Sequence, residues 1–259
     1  MNLTDVKCFL LDMDGTFYLG GNLIEGSLEF IDKVLSTGRD FMFLTNNSSH
    51  NANFYVQKLA KMGLDIDRRR VMTSGEATCE KLLELYPGKR AFVLGNEFLV
   101  EEFREAGIAV DNANPDIVVI GFDTTLDYRK MQDVCDFVRA GLPYIATHPD
   151  FNCPTETGFM PDIGAIMAFI EASTGRRPDL IVGKPHTGIV EAVLRRTGLA
   201  VNELAMVGDR LYTDIETGLR SGMLSILVMS GETTEAMLAE SPTKPDLKFG
   251  RLSDMIPLL

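Results

Sequence analysis

Hydrophobic and polar residues fall in blocks along this chain. Short runs that are apolar on both faces recur: Cys8–Leu11, Phe41–Leu44, Val71–Thr73, Ala91–Leu94, Ile117–Ile120, Tyr144–Thr147, Leu180–Val182, Leu204–Val207 and Leu224–Val228. Lacking period-two alternation, they predict strands buried on both faces, as in parallel sheets. The segments between them carry apolar residues at helical spacing. Leu28, Ile31, Val34 and Leu35 form one such stripe, within a helix expected over 27–37 and closed by Gly38. Further helices are expected over 51–62, 74–85, 97–106, 127–140, 164–174, 185–197 and 214–221. Residues 17–25 and 148–162 show neither period and are expected to be irregular. Strands alternating with helices throughout predict an α/β fold with Rossmann-like parallel sheets and right-handed crossovers. No repeat of solenoid length is present.

A length of 259 residues suits one large domain or two modest ones. The net charge of −12 argues against a nucleic-acid partner, whose phosphates need basic patches. It leaves a small phosphorylated ligand open, because that needs only local positive potential. No apolar run approaches membrane-spanning length, so no membrane partner is expected. Met1-Asn2-Leu3-Thr4-Asp5 lacks the basic and apolar regions of a secretory signal. The four cysteines are scattered and the three histidines form no zinc pattern. A reduced, cytoplasmic protein is the expectation.

Chemistry concentrates where the apolar runs stop. Phe9-Leu10-Leu11-Asp12-Met13-Asp14-Gly15-Thr16 ends a strand in two carboxylates and a glycine. In open α/β sheets, ligands sit at the carboxyl ends of strands. If the chain stays extended, period-two geometry turns Asp12 and Asp14 to one side, suiting a divalent cation and acid/base work. Asp14-Gly15 also suits a hairpin turn, and Asp12 could be a solvated loop residue. Thr45 and Asn46 end another strand next to a helix start, fit either to cradle phosphate or to cap the helix. Lys184 follows an apolar run, with Pro185 expected to keep it extended and to start the next helix. It would aim an ammonium at the strand mouth or serve as a solvated surface charge. Asp209 ends a further strand after Gly208, and Asp214 follows; each could also cap a helix. An Asp209 beside Asp12 would demand a cation, and hard oxygen ligands suit magnesium. A Gly-x-Ser-x-Gly elbow and a phosphate-binding Gly-rich Lys-Ser/Thr loop are both absent from the sequence.

In this order, Asp-Met-Asp-Gly-Thr, a strand-end Thr, a strand-end Lys and Gly-Asp followed by Asp214 resemble the haloacid dehalogenase-like superfamily. The short gap from Asp12 to Thr45 and the long one from Thr45 to Lys184 place its inserted cap in the second gap. The resemblance therefore implies a catalytic core over 1–78 and 179–259, with an α/β cap over 79–178. That arrangement resembles the NagD-like branch, which includes nitrophenyl-phosphatase-type enzymes. Ala146-Thr147-His148-Pro149-Asp150 is similar to its Ala-Thr-Asn-Pro-Asp stretch, with His148 in place of Asn.

The resemblance implies a Mg2+-dependent phosphatase of small phosphate monoesters: sugar phosphates, nucleoside monophosphates or nitrophenyl-phosphate-like esters. It makes Asp12 the nucleophile and Asp14 the acid/base. Mg2+ would be held by Asp12, the Asp14 carbonyl and Asp209, with Asp214 orienting waters or Lys184. Thr45, Asn46 and Lys184 would bind phosphoryl oxygens. His148, Asp150, Phe151, Asn152 and Asp162 are the expected specificity residues. The cap lacks an obvious basic cluster, which points to substrates without a second large anionic group. The same scaffold also serves phosphotransferases, mutases and catalytically silent binding proteins. A homodimer through the cap is a further expectation of the resemblance.

Overall fold

The computed structural model describes residues 2–155 and 158–259. The chain opens with β1 (Cys8–Leu11), a hairpin of β2 (Tyr18–Leu19) and β3 (Asn22–Leu23), α1 (Ser27–Ser36), β4 (Asp40–Thr45), α2 (Ala52–Lys61), β5 (Val71–Thr73) and α3 (Ser74–Leu85). Its middle holds β6 (Ala91–Leu94), α4 (Glu97–Glu105), β7 (Ile117–Ile120), α5 (Tyr128–Arg139), β8 (Tyr144–Ala146), β9 (Asn152–Thr155), β10 (Gly158–Pro161) and α6 (Ile163–Thr174). It closes with β11 (Leu180–Ile181), α7 (Gly188–Thr197), β12 (Leu204–Gly208), α8 (Glu216–Ser221), β13 (Leu224–Val228), α9 (Glu235–Glu240) and β14 (Leu247–Phe249). Among the described residues no helix is long and apolar enough to cross a membrane.

Two compact units result. The first comprises Met1–Thr45, Tyr55–Met72 and Lys184–Leu259. Its sheet runs β14-β13-β12-β1-β4-β5, and β1 pairs in parallel with both β12 and β4. β1 is fully buried because both faces of Cys-Phe-Leu-Leu are apolar. Phe9 meets Phe30 of α1 edge to face at 5.6 Å, and Phe17 meets Phe43 at 4.9 Å. The register sets Leu11 between Val207 and Phe43. The strand order therefore changes direction at β1, leaving a crevice at the carboxyl ends of the strands.

The second unit comprises Asn46–Phe54 and Thr73–Gly183. It contains residues 79–178 and reaches beyond them, because β11 pairs with β8 in the parallel sheet β11-β8-β7-β6. Phe92, Val118, Ile120, Tyr144, Ile163 and Ile170 form part of its core, with Val134 and Val138 from the amphipathic α5. Asp127 caps α5 by accepting the Lys130 N–H at 2.8 Å.

Several local expectations are corrected. Residues 148–162 contain an antiparallel hairpin, β9 with β10, rather than an irregular stretch; Glu156 and Thr157 lie outside the described residues. The hairpin is largely exposed and carries Pro154 and Pro161, so it has no apolar alternation to betray it. A hairpin also occupies part of 17–25, as β2 with β3. α7 begins at Gly188, not at Pro185, and the Lys184–Pro185 peptide is cis. A π-helical turn over Leu211–Ile215 precedes α8 where one helix was expected. The short α9 and edge strand β14 carried no sequence signal.

Candidate active site

Beyond Leu11 the chain stays in register just long enough for the Asp12 N–H to donate to the Val207 carbonyl at 2.9 Å. It then turns about Met13, whose carbonyl accepts the N–H groups of Thr16, Phe17 and Tyr18. This turn replaces the extended geometry expected between Asp12 and Asp14. Gly15 makes it possible, with φ at +84°. A Cβ at Gly15 would also stand 2.4 Å from Asp209 Oδ2. Desolvation, reinforced by the Asp12 charge, raises the Asp14 carboxyl above the usual carboxylate range, against the opposing charges of Lys58 and Arg210.

The Lys184 ammonium is buried, and it donates to Asp12 Oδ1 and Asp214 Oδ1, each at 2.6 Å. Burial alone would push its pKa down, yet the two carboxylates raise it, so the ammonium is the stable form. The π-helical turn brings Asp214 back against Gly208, where a Cβ would lie 2.2 Å from Asp214 Cβ. Asp214 Oδ2 accepts the Arg210 N–H at 3.1 Å. Asp209 Oδ2 accepts the Glu232 N–H at 2.7 Å, and the Asp209 carbonyl accepts the Thr233 hydroxyl at 2.5 Å. A Cβ at Gly231 would stand 2.0 Å from Asp209 Oδ2. The Ser230 hydroxyl donates to the Gly15 carbonyl at 2.7 Å.

Asp12, Asp209 and Asp214 each offer an oxygen, and all three lie within 4.8 Å of one another. Burial and mutual repulsion push Asp209 and Asp214 above the ordinary carboxylate range. Lys184 bonds Asp12 and Asp214. A buried, under-compensated set of hard oxygens fits a divalent cation such as magnesium.

Thr45, buried at the end of β4, lies just beyond the paired residues Phe43 and Leu11. Asn46 belongs to the second unit, where its Nδ2 donates to Asp150 Oδ2 at 3.1 Å and its carbonyl accepts the Ser74 hydroxyl. His148 is fully buried there, with Nδ1 against Thr147 Oγ1 at 2.9 Å and Nε2 against Asp162 Oδ1 at 3.2 Å. Asp162 Oδ1 also accepts the Ile163 N–H at the start of α6, at 2.6 Å. Phe151, at 61% exposure, and Asn152 face solvent.

Three features escaped sequence reasoning. The segment Ser230–Thr233 holds Asp209, and its cue was one more strand, β13, ending in small polar residues. Arg210 pairs with Glu232 Oε2 at 2.9 Å within electrostatic reach of Asp12 and Asp209. Lys58 of α2 sits with its Nζ 3.7 Å above the Tyr18 ring centroid. Neither cation had a cue, since each reads as an ordinary surface charge.

Known proteins share this architecture over nearly the whole chain. The family described as haloacid dehalogenase-like hydrolase matches residues 9–109, and a HAD-hydrolase-like family matches residues 181–255. An acid sugar phosphatase of Staphylococcus aureus is 37% identical over 251 residues, 96% of each chain. The solved 4-nitrophenylphosphatase of Thermotoga maritima is 48% identical and superposes with a TM-score of 0.96 over 98% of this chain and 97% of that one. NagD from Escherichia coli K-12 is 31% identical, with a TM-score of 0.89 over 96% of this chain and 98% of its own. With its motifs, its strand order and these relatives in agreement, the chain belongs to the haloacid dehalogenase-like hydrolases.

Proposed function

We propose that this protein is a magnesium-dependent phosphatase of small phosphate monoesters that works through an aspartyl-phosphate on Asp12. The observation that carries the reading is the buried Lys184 bridging Asp12 and Asp214, with Asp209 completing the carboxylate set. Asp12 attacks phosphorus while Lys184 fixes its orientation, and the ester oxygen leaves with a proton from Asp14. Asp14 then takes a proton from water, whose oxygen attacks the acyl phosphate, freeing inorganic phosphate and Asp12. The raised Asp14 carboxyl favours the protonated form needed for the first step. Asp12, Asp209 and the Asp14 carbonyl would hold magnesium, which when bound neutralises phosphate charge. Thr45, Asn46 and Lys184 are the proposed phosphate contacts. Asp214 acts through Lys184, which it bonds directly.

Sugar phosphates and p-nitrophenyl phosphate are the proposed substrates, in keeping with relatives named for acid sugar phosphatase and 4-nitrophenylphosphatase activity. Within 148–162 the exposed Phe151 and Asn152 are the better leaving-group contacts, since His148 and Asp162 bond to each other. We extend the proposal to a substrate-selecting role for the second unit and to a homodimer formed through it. The test of the reaction is hydrolysis of p-nitrophenyl phosphate with and without magnesium. Turnover should appear with the metal and vanish on its removal by a chelator. Folded, metal-loaded protein with no turnover on this ester or on sugar phosphates would overturn the reading.

Stability should report the same site. Raised carboxylates keep protons in the folded state that the unfolded chain, with ordinary values near 4, has already released. The metal-free protein therefore loses stability as pH rises above about 4. Magnesium binds the deprotonated set, so its stabilising effect should grow between pH 5 and pH 8. At a hundred times its dissociation constant it should add about 5–10 °C to the melting temperature at pH 8. An equal increment at both pH values would move the metal away from these carboxylates.

A further inference from the structure

A second group of potential metal ligands lies wholly within the second unit, and no step of the proposed reaction uses it. His148 and one carboxylate oxygen each from Asp150 and Asp162 lie within 4.8 Å of one another. His148 and Asp162 are buried and Asp150 is half-buried. Among the described residues Asp150 pairs with no cation, and Asp162 meets only the His148 ring, Nε2 to Oδ1 at 3.2 Å. Two carboxylates drawn from water thus share one imidazole, an arrangement short of positive charge. The backbone holds the three together. His148 and Asp150 follow β8, Asp162 caps α6, and the β9–β10 hairpin closes between them. The Asp162 N–H donates to the Phe151 carbonyl at 3.0 Å, and the Gly164 N–H donates to the Asp150 carbonyl at 2.7 Å. A Cβ at Gly164 would stand 2.7 Å from the Pro149 carbonyl oxygen, so glycine permits this close approach.

We propose that His148, Asp150 and Asp162 form a site for a first-row transition cation, zinc above all, which clasps the base of the β9–β10 hairpin. One imidazole with two carboxylates is a mixed set: the nitrogen favours zinc over magnesium or calcium, and a fourth tetrahedral position is left for water. The surrounding contacts suit coordination. With Nε2 on the ion, Nδ1 carries the proton and donates to Thr147 Oγ1 at 2.9 Å, and the Thr147 hydroxyl can pass its own proton to Ser48 Oγ at 3.1 Å. A ligating imidazole is characteristically oriented through its other nitrogen in this way. Asn46 Nδ2 holds Asp150 through Oδ2 at 3.1 Å. His148 makes the difference, since it stands where the resembling stretch has Asn, which offers no ring nitrogen. The scattered histidines showed no zinc pattern because these ligands meet only across the hairpin. The site does not depend on the phosphatase reading.

The test is zinc binding to the full chain, followed by equilibrium dialysis and zinc X-ray absorption. Asp209→Asn serves as the parent, because it weakens the Asp12–Asp209–Asp214 set and keeps a second zinc from being counted. The parent should bind one zinc per chain. Its absorption spectrum should show scattering from an imidazole ring, which the carboxylate set of the first unit contains no histidine to supply. Adding His148→Asn should weaken zinc binding by at least about a hundredfold, since even the loss of an outer partner costs about ten- to a hundredfold. Circular dichroism checks that this variant is folded. If it is not, Asp150→Asn takes its place and should weaken zinc binding by at least about tenfold. No binding at micromolar zinc, a zinc shell without imidazole, or unchanged affinity in the folded variant would overturn the site and leave the three side chains as a hydrogen-bonded clasp.

Discussion

Asp12→Asn should leave no measurable turnover of p-nitrophenyl phosphate, a loss of at least about three orders of magnitude in kcat. The amide keeps the shape of the carboxylate and can still accept the Lys184 hydrogen bond now made at 2.6 Å. What it lacks is the anionic oxygen that must form the bond to phosphorus. Folding should survive the change. Asp12 is among the charges that raise Asp209 and Asp214, so its neutralisation relieves repulsion in the metal-free protein. Turnover and thermal denaturation measured on the same preparation check both halves. Residual activity above about one per cent of wild type would take the nucleophile's role from Asp12.

Lys184→Met is expected to be the costliest single change to stability, about 3–5 kcal/mol at pH 7. Methionine fills most of the volume, so the loss is electrostatic. Asp12 and Asp214 would each lose a charge-assisted hydrogen bond, and Asp214 is fully buried. Without the ammonium the folded pKa of Asp214 moves further above the unfolded value near 4. A raised carboxyl destabilises the fold at pH values above its unfolded pKa, so the penalty is full at pH 7 and fades as pH falls toward 4. Urea denaturation at pH 7 and pH 4.5 measures this directly. Equal stability of variant and wild type at pH 7 would mean that the bridge is not the support described.

Much of this was legible before folding, for identifiable reasons. The strands at Cys8–Leu11, Ile117–Ile120 and Leu224–Val228 announced themselves because parallel strands covered on both faces must be apolar throughout. Asp12, Lys184 and Asp209 stood out because they lie at or just past the ends of such runs, where open α/β sheets place their ligands. The hairpin β9–β10 was not legible, since exposed strands with prolines carry no burial pattern. Lys58 was silent too: on α2 it is one lysine among several, and only Tyr18 from another element gives it a fixed place.

By itself, then, the sequence determined the alternating α/β order, the residues that end the strands, and the chemistry those residues can perform. Those properties follow from local spacing and from which side chains tolerate burial. Tertiary structure alone decided that Lys184 bonds Asp12 and Asp214 together, that Ser230–Thr233 holds Asp209 and Gly15, and that His148 is spent on Asp162. Each joins groups that are not neighbours along the chain. Which carboxylate a given cation meets is set by sheet order and register, and no local pattern encodes that.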